Sequence, residues 1–396
     1  MTGSPSHPER PVDLPFARAG LASFLEPLVR DKRVVVCCGA GGVGKTTTSA
    51  ALGLAGAMLG RNVLVLTIDP ARRLAEAMGI PESARAPSPI PPDRLAAAGV
   101  TGQGTLHAWM LNPTVVFEGM VRRLAHDEDR VRLILANRLY QHVSELVAGM
   151  QEYTAAEALY TLAEDRRYDL IVLDTPPSRN ALEFLEAPRK LAGFLDERVV
   201  GMFLPSRGAL RAAASSLIST VFTRIFGAGF HEELQEFLGA FSGMFGGMRA
   251  HAEAVRTLLT SSEATFLLVT SPEPSALAEA RFFHAKIDEL GVPFGGYILN
   301  RSWAQTRGLK NPDLVQVVGT SGPVASGWSK LSALADDERR RAGRDRSLLA
   351  DLRGRGTDAI ATPHLGGAVE DLSGLVALAG ALVGPLEQES RTNPAT

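Results

Sequence analysis

One stretch decides the fold of this chain: Val34-Val35-Val36-Cys37-Cys38-Gly39-Ala40-Gly41-Gly42-Val43-Gly44-Lys45-Thr46-Thr47-Thr48. An apolar, β-branched run leads into a glycine, four further residues and Gly-Lys-Thr, and a run rich in Ala and Leu follows. This order of strand, glycine-rich loop and helix is the context that a phosphate-binding loop requires. The sequence therefore predicts a phosphate site between the first strand and the next helix.

The residue types in this loop suit phosphate. Glycines permit a tight turn and let backbone N–H groups surround phosphate oxygens at the positive end of the helix. Lys45 is expected to reach the β- and γ-phosphates, and the Thr46 hydroxyl to ligate a bridging Mg²⁺. The alternative, a glycine-rich turn that binds nothing, is disfavoured by the flanking strand and helix. The candidate nucleotide-binding residues here are Gly41, Gly42, Val43, Gly44, Lys45, Thr46 and Thr47.

Composition narrows the class of protein. The 396 residues are 45% hydrophobic and 21% charged with a formal net charge of -2, which is typical of a globular protein and gives no sign of a nucleic-acid partner. The two cysteines are neighbours, so they cannot form a disulfide framework or a spaced metal site. Neither a signal peptide nor an apolar run of about eighteen residues occurs. We therefore expect a cytoplasmic protein.

Apolar runs that recur along the chain predict an α/β fold. We expect a doubly wound, mostly parallel sheet that carries the phosphate loop (P-loop), with an inserted helical subdomain. Strands are predicted at 33–38, 63–68, 105–111, 168–174, 264–270, 294–299 and 358–362, and helices at 46–59, 275–290, 327–354 and 369–383. The nucleotide-binding core would comprise 19–111, 166–190 and 263–388, the helical subdomain 112–165 and 191–262, and the tails 1–18 and 389–396.

Two acids end predicted strands. Asp69 and Asp174 each follow an apolar run, and chemistry collects at the carboxyl ends of strands in a doubly wound sheet. Asp69 is expected beside the phosphate loop, although an Asp at this point also caps helices. Asp174 is the candidate for supporting Mg²⁺. The next residues, 175–180, form either a nucleotide-sensing switch loop or a plain turn.

Three further segments carry open alternatives. Asn300, at the end of a strand, either reads an adenine edge or is a plain turn residue. The helical stretch 188–262 combines many Met and Phe residues with glycines, which suits either an adaptable apolar groove or ordinary helix core. The charges of 336–341 pair at helical spacing and predict a solvated helix rather than a binding patch. The Pro- and Ala-rich segment 80–100 is expected to be a surface loop.

The ordered set of these motifs resembles one family of ATPases. The phosphate loop, Asp69-Pro70-Ala71, Asp174-Thr175-Pro176-Pro177, Asn300-Arg301 and Pro363 together resemble the arsenical-pump and tail-anchored-protein targeting ATPases. The resemblance implies a homodimer or a heterodimer with a paralogous ATPase, ATP and Mg²⁺ as cofactors, and a hydrophobic protein client or a membrane-protein partner. It also implies that Asp69 positions the attacking water, Asp174 supports Mg²⁺, and Asn300 and Pro363 contact the nucleotide.

The sequence departs from that family at two points. The family usually has a second lysine directly after the first glycine of the loop, and this chain has Ala40 there. That lysine normally crosses the dimer to the partner's phosphates, so its absence bears directly on hydrolysis by a homodimer. The zinc-binding and arsenite-binding cysteines of family members are also absent. We therefore expect an ATPase that couples nucleotide state to an apolar surface, with an anion-pump subunit or a non-hydrolysing partner as alternatives.

Overall fold

A computed structural model of the protein describes most of the predicted core. The described residues are 23–68, 78–81, 84–100, 103–125, 127–137, 150–175, 242–305, 323–354, 356–364 and 371–384, together with the isolated positions 229, 233, 236, 237, 239, 240 and 369. Asp69, the residues after Thr175 that were predicted as a switch loop or a plain turn, and most of 176–241 lie outside them. The strand before the phosphate loop, the loop itself and the helix after it all lie within the described residues.

The described strands are β1 (Val34–Cys38), β2 (Asn62–Thr67), β3 (Ser88–Pro89), β4 (Thr105–Met110), β5 (Leu170–Asp174), β6 (Ala264–Thr270), β7 (Phe294–Ser302) and β8 (Ala359–Pro363). The described helices are α1 (Leu25–Asp31), α2 (Lys45–Met58), α3 (Pro92–Ala97), α4 (Pro113–Leu124), α5 (Glu128–Ala136), α6 (Met150–Glu164), α7 (Phe245–Thr260), α8 (Pro274–Leu290), α9 (Pro323–Arg353) and α10 (Leu372–Val383). For the seven strands and four helices whose bounds were predicted, the observed bounds agree to within a few residues.

Within the described residues the strands form one sheet in the order β3-β4-β2-β5-β1-β6-β7-β8. Neighbouring strands are parallel, except that β3 runs antiparallel to β4. The predicted mostly parallel α/β sheet is thus confirmed. Because β1 lies between β5 and β6, the loop that follows it emerges between the carboxyl ends of those two strands.

Both faces of the sheet are covered by helices, which explains the nearly continuous apolar strands. Side chains of one face, such as Val35, Val65 and Val172, pack with α1, α2, α3 and α10. Side chains of the other face, such as Val36 and Leu173, pack with α6, α7, α8 and α9. A strand that is buried on both faces loses the usual alternation of apolar and polar residues. The site-bearing loops therefore extend from a rigid double-faced core.

Part of the Met- and Phe-rich stretch lies in the described residues, and there it forms core. Phe237, Met244, Phe245 and Met248 are buried in a cluster with residues of α4 and α5. The other Met and Phe residues of this stretch lie mostly outside the described residues, so the groove stays a prediction for them. Among the described helices, none is both long and apolar enough to cross a membrane.

The prediction of a plain surface loop at 80–100 is wrong. This segment contains β3 and α3, and it buries Ile90, Leu95 and Val100. Pro92 begins α3 at a position where proline is tolerated because the first helical N–H groups need no helical partner. The prolines obscured the apolar spacing, since they suggested breaks where they instead start a helix.

Candidate functional site

The phosphate loop is held tightly against its surroundings. Gly39 has φ 149° and Gly44 has φ 91°, conformations that other residues rarely adopt. A Cβ atom at Gly39 would lie 2.1 Å from the backbone oxygen of Val269, and one at Gly44 would lie 2.3 Å from Nδ2 of Asn300. The glycines are therefore required by close packing as well as by the turn. The loop delivers the chain into α2, whose first N–H groups form an anion-binding helix end.

Lys45 lies across its own loop. Its Nζ donates a hydrogen bond to the backbone oxygen of Ala40 at 2.8 Å, and the residue is only 5% exposed. A buried ammonium group needs such oxygen partners because its desolvation is costly. Phosphate oxygens are stronger partners for an ammonium than a carbonyl oxygen is. The Lys45 ammonium group therefore lies beside the backbone of the phosphate loop, where phosphate oxygens could replace the Ala40 carbonyl.

Asp174 accepts hydrogen bonds from hydroxyl groups on two elements, α2 and β2. The Thr46 hydroxyl, on the first turn of α2, donates to Oδ2 of Asp174 at 2.7 Å, and the Thr67 hydroxyl donates to the same oxygen at 2.9 Å. Asp174 is fully buried at the end of β5. Thr46 and Asp174 are both predicted to support Mg²⁺, whereas the sequence does not suggest Thr67. The available signal was the parallel register, in which Thr67 lies directly beside Asp174.

These donors fit Mg²⁺. Magnesium prefers hard oxygen ligands and is usually held by one or two protein groups together with phosphates and water. The Thr46 hydroxyl and the Asp174 carboxylate are such oxygens, and their contact brings both to the mouth of the phosphate loop. A bound Mg²⁺ would supply neutralisation of phosphate charge at this position.

Asn300 performs a role that the sequence did not suggest. Its Nδ2 donates to the backbone oxygen of Val43 at 2.8 Å, and its Oδ1 accepts from the Thr362 hydroxyl at 2.6 Å. Asn300 is 6% exposed and Thr362 is fully buried. The β7–β8 register shifts between Leu299 and Ser302, and such an irregularity re-aims side chains. We call Asn300, Thr362 and the Val43 carbonyl the Asn300 clamp, because together they tie β7 and β8 to the phosphate loop.

The remaining predicted site residues are distributed around this centre. Pro363 is the last residue of β8 and pairs with Ser302 of β7. It directly follows Thr362, the β8 residue of the clamp. Gly41 and Gly42 are exposed at the tip of the loop, and Thr47 is half-buried on α2. Asp69 lies outside the described residues, so its role with water stays a prediction. The structure thus brings Lys45, Thr46, Asp174 and Asn300 into one site.

The two cysteines are poorly suited to bind metals or metalloids at neutral pH. Both are fully buried in β1, and burial raises the pKa of Cys37 and of Cys38 to about 12. A thiol binds soft metals and metalloids as the thiolate. The adjacent pair is therefore protonated core.

Comparison with known proteins agrees with this geometry. The family model described as "Anion-transporting ATPase" matches residues 32–310, which is more than half of the chain. The matching region includes the phosphate loop, Asp174 and Asn300.

Individual relatives match over shorter stretches. A putative arsenical pump-driving ATPase 1 of Aquifex aeolicus is 27% identical over 41% of this chain and 40% of its own length. An ATPase GET3 of Malassezia globosa is 29% identical over 40% of this chain and 43% of its own length. A putative arsenical pump-driving ATPase of Halobacterium salinarum is 30% identical over 42% of this chain and 26% of its own length. The chain thus spans less than half the length of the curated relatives it matches, whereas the family model covers most of it. By that match, the chain belongs to the anion-transporting ATPase family.

Proposed function

We propose that this protein binds ATP with Mg²⁺ and hydrolyses it to ADP and phosphate. The observation that carries the proposal is the contact between Thr46 and Asp174 at the start of α2, beside the buried Lys45. These three groups are a magnesium-supporting hydroxyl and carboxylate and a cation for the β- and γ-phosphates. The glycine loop and the helix end add backbone N–H donors to the same pocket.

The residues divide the work as follows. Lys45 exchanges the Ala40 carbonyl for phosphate oxygens and stabilises charge on the transferring group. Thr46 and Asp174 would hold Mg²⁺. Asp69 orients the water that attacks the γ-phosphate in line, as the family resemblance implies. Attack breaks the bond between the γ-phosphorus and the bridging oxygen, and ADP leaves.

We also propose that the active form is a dimer whose closure follows ATP binding. The family resemblance supports this step, and it also supports an apolar protein client that binds to the dimer. In the described part of the helical layer the Met and Phe residues are buried. The client surface stays a proposal for the Met- and Phe-rich stretch 188–262, at those of its positions that lie outside the described residues.

A second candidate function is that of a nucleotide-binding partner for a lysine-bearing paralogue. The observation behind it is Ala40, which is only 7% exposed and packs within the core cluster under the loop. A lysine here would have to leave that cluster to reach across a dimer. The loop of this chain is therefore built around a small apolar residue at this position.

The test is ATP turnover of the purified chain as a function of its own concentration. Lys45→Ala serves as the inactive blank, and Lys32→Ala serves as the matched control, since the Lys32 amine donates to the Ser262 carbonyl at 2.7 Å, away from the phosphate loop. A rate that rises faster than linearly would support a self-sufficient dimer. A rate equal to the blank, with nucleotide still bound, would refute self-sufficient hydrolysis and favour the partner function.

Two further measurements separate the alternatives. In Ala40→Lys, a substantial rise in turnover is expected if the missing lysine limits hydrolysis, and unchanged turnover would contradict that idea. The anion-pump alternative predicts stimulation by arsenite or antimonite. Because Cys37 and Cys38 are buried and protonated, we expect turnover to be insensitive to both.

A further inference from the structure

Thr67 places a buried hydroxyl group beside the proposed magnesium site. It is the last residue of β2, it is only 1% exposed, and in the parallel register it lies directly beside Asp174. Its hydroxyl donates a hydrogen bond to Oδ2 of Asp174 at 2.9 Å. This bond joins two neighbouring strands of the sheet, so it is made without the phosphate loop.

The same carboxylate oxygen receives a second hydroxyl group. Thr46, on the first turn of α2, donates to Oδ2 of Asp174 at 2.7 Å. A carboxylate oxygen offers two lone pairs, so two hydroxyl donors fill its ordinary capacity. Thr46 and Thr67 together therefore occupy Oδ2, and a cation could contact that oxygen only by displacing one of them.

The two hydroxyl groups differ in how firmly they are held. Thr46 follows the phosphate loop, and its oxygen is itself an expected Mg²⁺ ligand. Thr67 is fixed by the backbone around it, because the Ile68 N–H donates to the Asp174 carbonyl oxygen at 3.1 Å and ties the end of β2 to the end of β5. Thr67 is thus the donor that the sheet itself supplies to Oδ2.

The occupied oxygen bears on which cation suits the site. Ca²⁺ takes more oxygen ligands than Mg²⁺ and often binds both oxygens of one carboxylate, whereas Mg²⁺ is smaller and keeps several waters. Contact of one ion with both oxygens of Asp174 would break a hydroxyl bond to Oδ2, which is buried and costly to leave unsatisfied. The arrangement therefore suits Mg²⁺ and disfavours Ca²⁺.

We propose that Thr67 is a positioning residue that sets the metal preference of this site. By holding Oδ2 of Asp174, it limits the carboxylate to contact through one oxygen and so selects Mg²⁺ over Ca²⁺. Thr67 acts through Asp174 and is not itself a ligand. Partners that orient a metal-binding side chain typically change metal affinity by about ten- to a hundredfold. This role of Thr67 rests on the proposed hydrolysis of ATP with Mg²⁺.

The experiment is calorimetric titration of the full chain with ADP in the presence of MgCl₂ or of CaCl₂. Thr67→Val removes the hydroxyl group and keeps the shape of the side chain, whereas Thr67→Ser retains the hydroxyl. Thr265→Val is the matched control, because Thr265 is also a buried strand threonine but lies near the amino end of β6, away from the site. Urea unfolding without nucleotide measures the stability of each variant separately.

In Thr67→Val, the affinity for ADP with Mg²⁺ should fall about tenfold while the affinity with Ca²⁺ stays equal or rises. The ratio of the two affinities should therefore fall about tenfold or more. Thr67→Ser and Thr265→Val should keep the wild-type ratio. A merely structural role of Thr67 would lower the urea midpoint of Thr67→Val without changing this ratio, and that result would overturn the proposal.

Titration of the wild-type chain separates this proposal from the proposed function. If ADP binds with neither cation, the proposed function fails, and this role of Thr67 fails with it. If ADP binds with Mg²⁺ and Ca²⁺ equally well, or if Thr67→Val retains the wild-type preference for Mg²⁺, the proposed function stands and only the role of Thr67 is refuted.

Discussion

The Asn300 clamp makes a quantitative prediction about stability. In Asn300→Ala, the Val43 carbonyl loses its donor and the Thr362 hydroxyl loses its acceptor. Each buried polar group that is left without a partner costs about 1–3 kcal/mol. Some relaxation is expected, because the Thr362 hydroxyl can rotate. We therefore expect the free energy of unfolding to fall by about 2–4 kcal/mol.

Equilibrium urea unfolding of the nucleotide-free chain, followed by circular dichroism, measures this change. Asn62→Ala is the matched control, because Asn62 also accepts a hydrogen bond from a threonine, Thr105, at 3.0 Å, but on the surface. We expect the control to lose no more than about 0.5 kcal/mol.

The double variant isolates the clamp from general effects of truncation. Thr362→Val alone removes the donor to Asn300. The loss of unfolding free energy in the double variant should be smaller than the sum of the losses in the two single variants, by a coupling energy of about 0.5–1.5 kcal/mol. Equal losses in Asn300→Ala and Asn62→Ala, or strict additivity of Asn300→Ala and Thr362→Val, would refute the clamp.

Three further predictions concern other parts of the molecule. Asp174→Asn keeps the shape of the side chain but removes its charge, so we expect calorimetry to show affinity for ATP with Mg²⁺ falling about ten- to a hundredfold and affinity without Mg²⁺ nearly unchanged. Because burial raises the pKa of the Cys37 and Cys38 thiols from 9.0 to about 12, these thiols favour the folded state below pH 9 and lose this contribution as pH rises toward 12. Urea midpoints should therefore fall less steeply above pH 9 when both are replaced by alanine, and equal slopes would contradict this. Glu157→Gln weakens a buried carboxylate that binds Arg123 at 2.7 Å and His251 at 3.0 Å, so unfolding should cost about 1–3 kcal/mol less, against almost no change in the exposed Glu164→Gln.

The sheet was largely predictable because its signal is local. The run from Ala264 to Thr270 is apolar without interruption, and its predicted and observed bounds are identical. Such runs arise when both faces of a strand are buried. The charge pairs of α9 were equally predictable, since Asp337 reaches Arg340 and Arg341 through helical spacing alone.

The site was predictable in its chemistry but not in its connections. Lys45, Thr46 and Asp174 could be named as candidates because their residue types suit phosphate and Mg²⁺, and the structure places the Thr46 hydroxyl beside Asp174. Thr67 was missed because its role depends on strand register. Asn300 was expected at an adenine edge or in a plain turn, yet its partner Val43 is 257 positions away in the chain. Contacts of that range depend on strand order, which a single sequence does not encode locally.

The Asn300 clamp has a consequence for how a base would enter the site. The Asn300 amide carries two N–H donors and the Val43 carbonyl engages one of them, so an adenine edge read by the second donor would leave the clamp intact. Such a base would be held by the same side chain that is tied to the phosphate loop. One residue would then set the spacing between the base contact and the phosphate contacts, so a nucleotide would have to satisfy both at once.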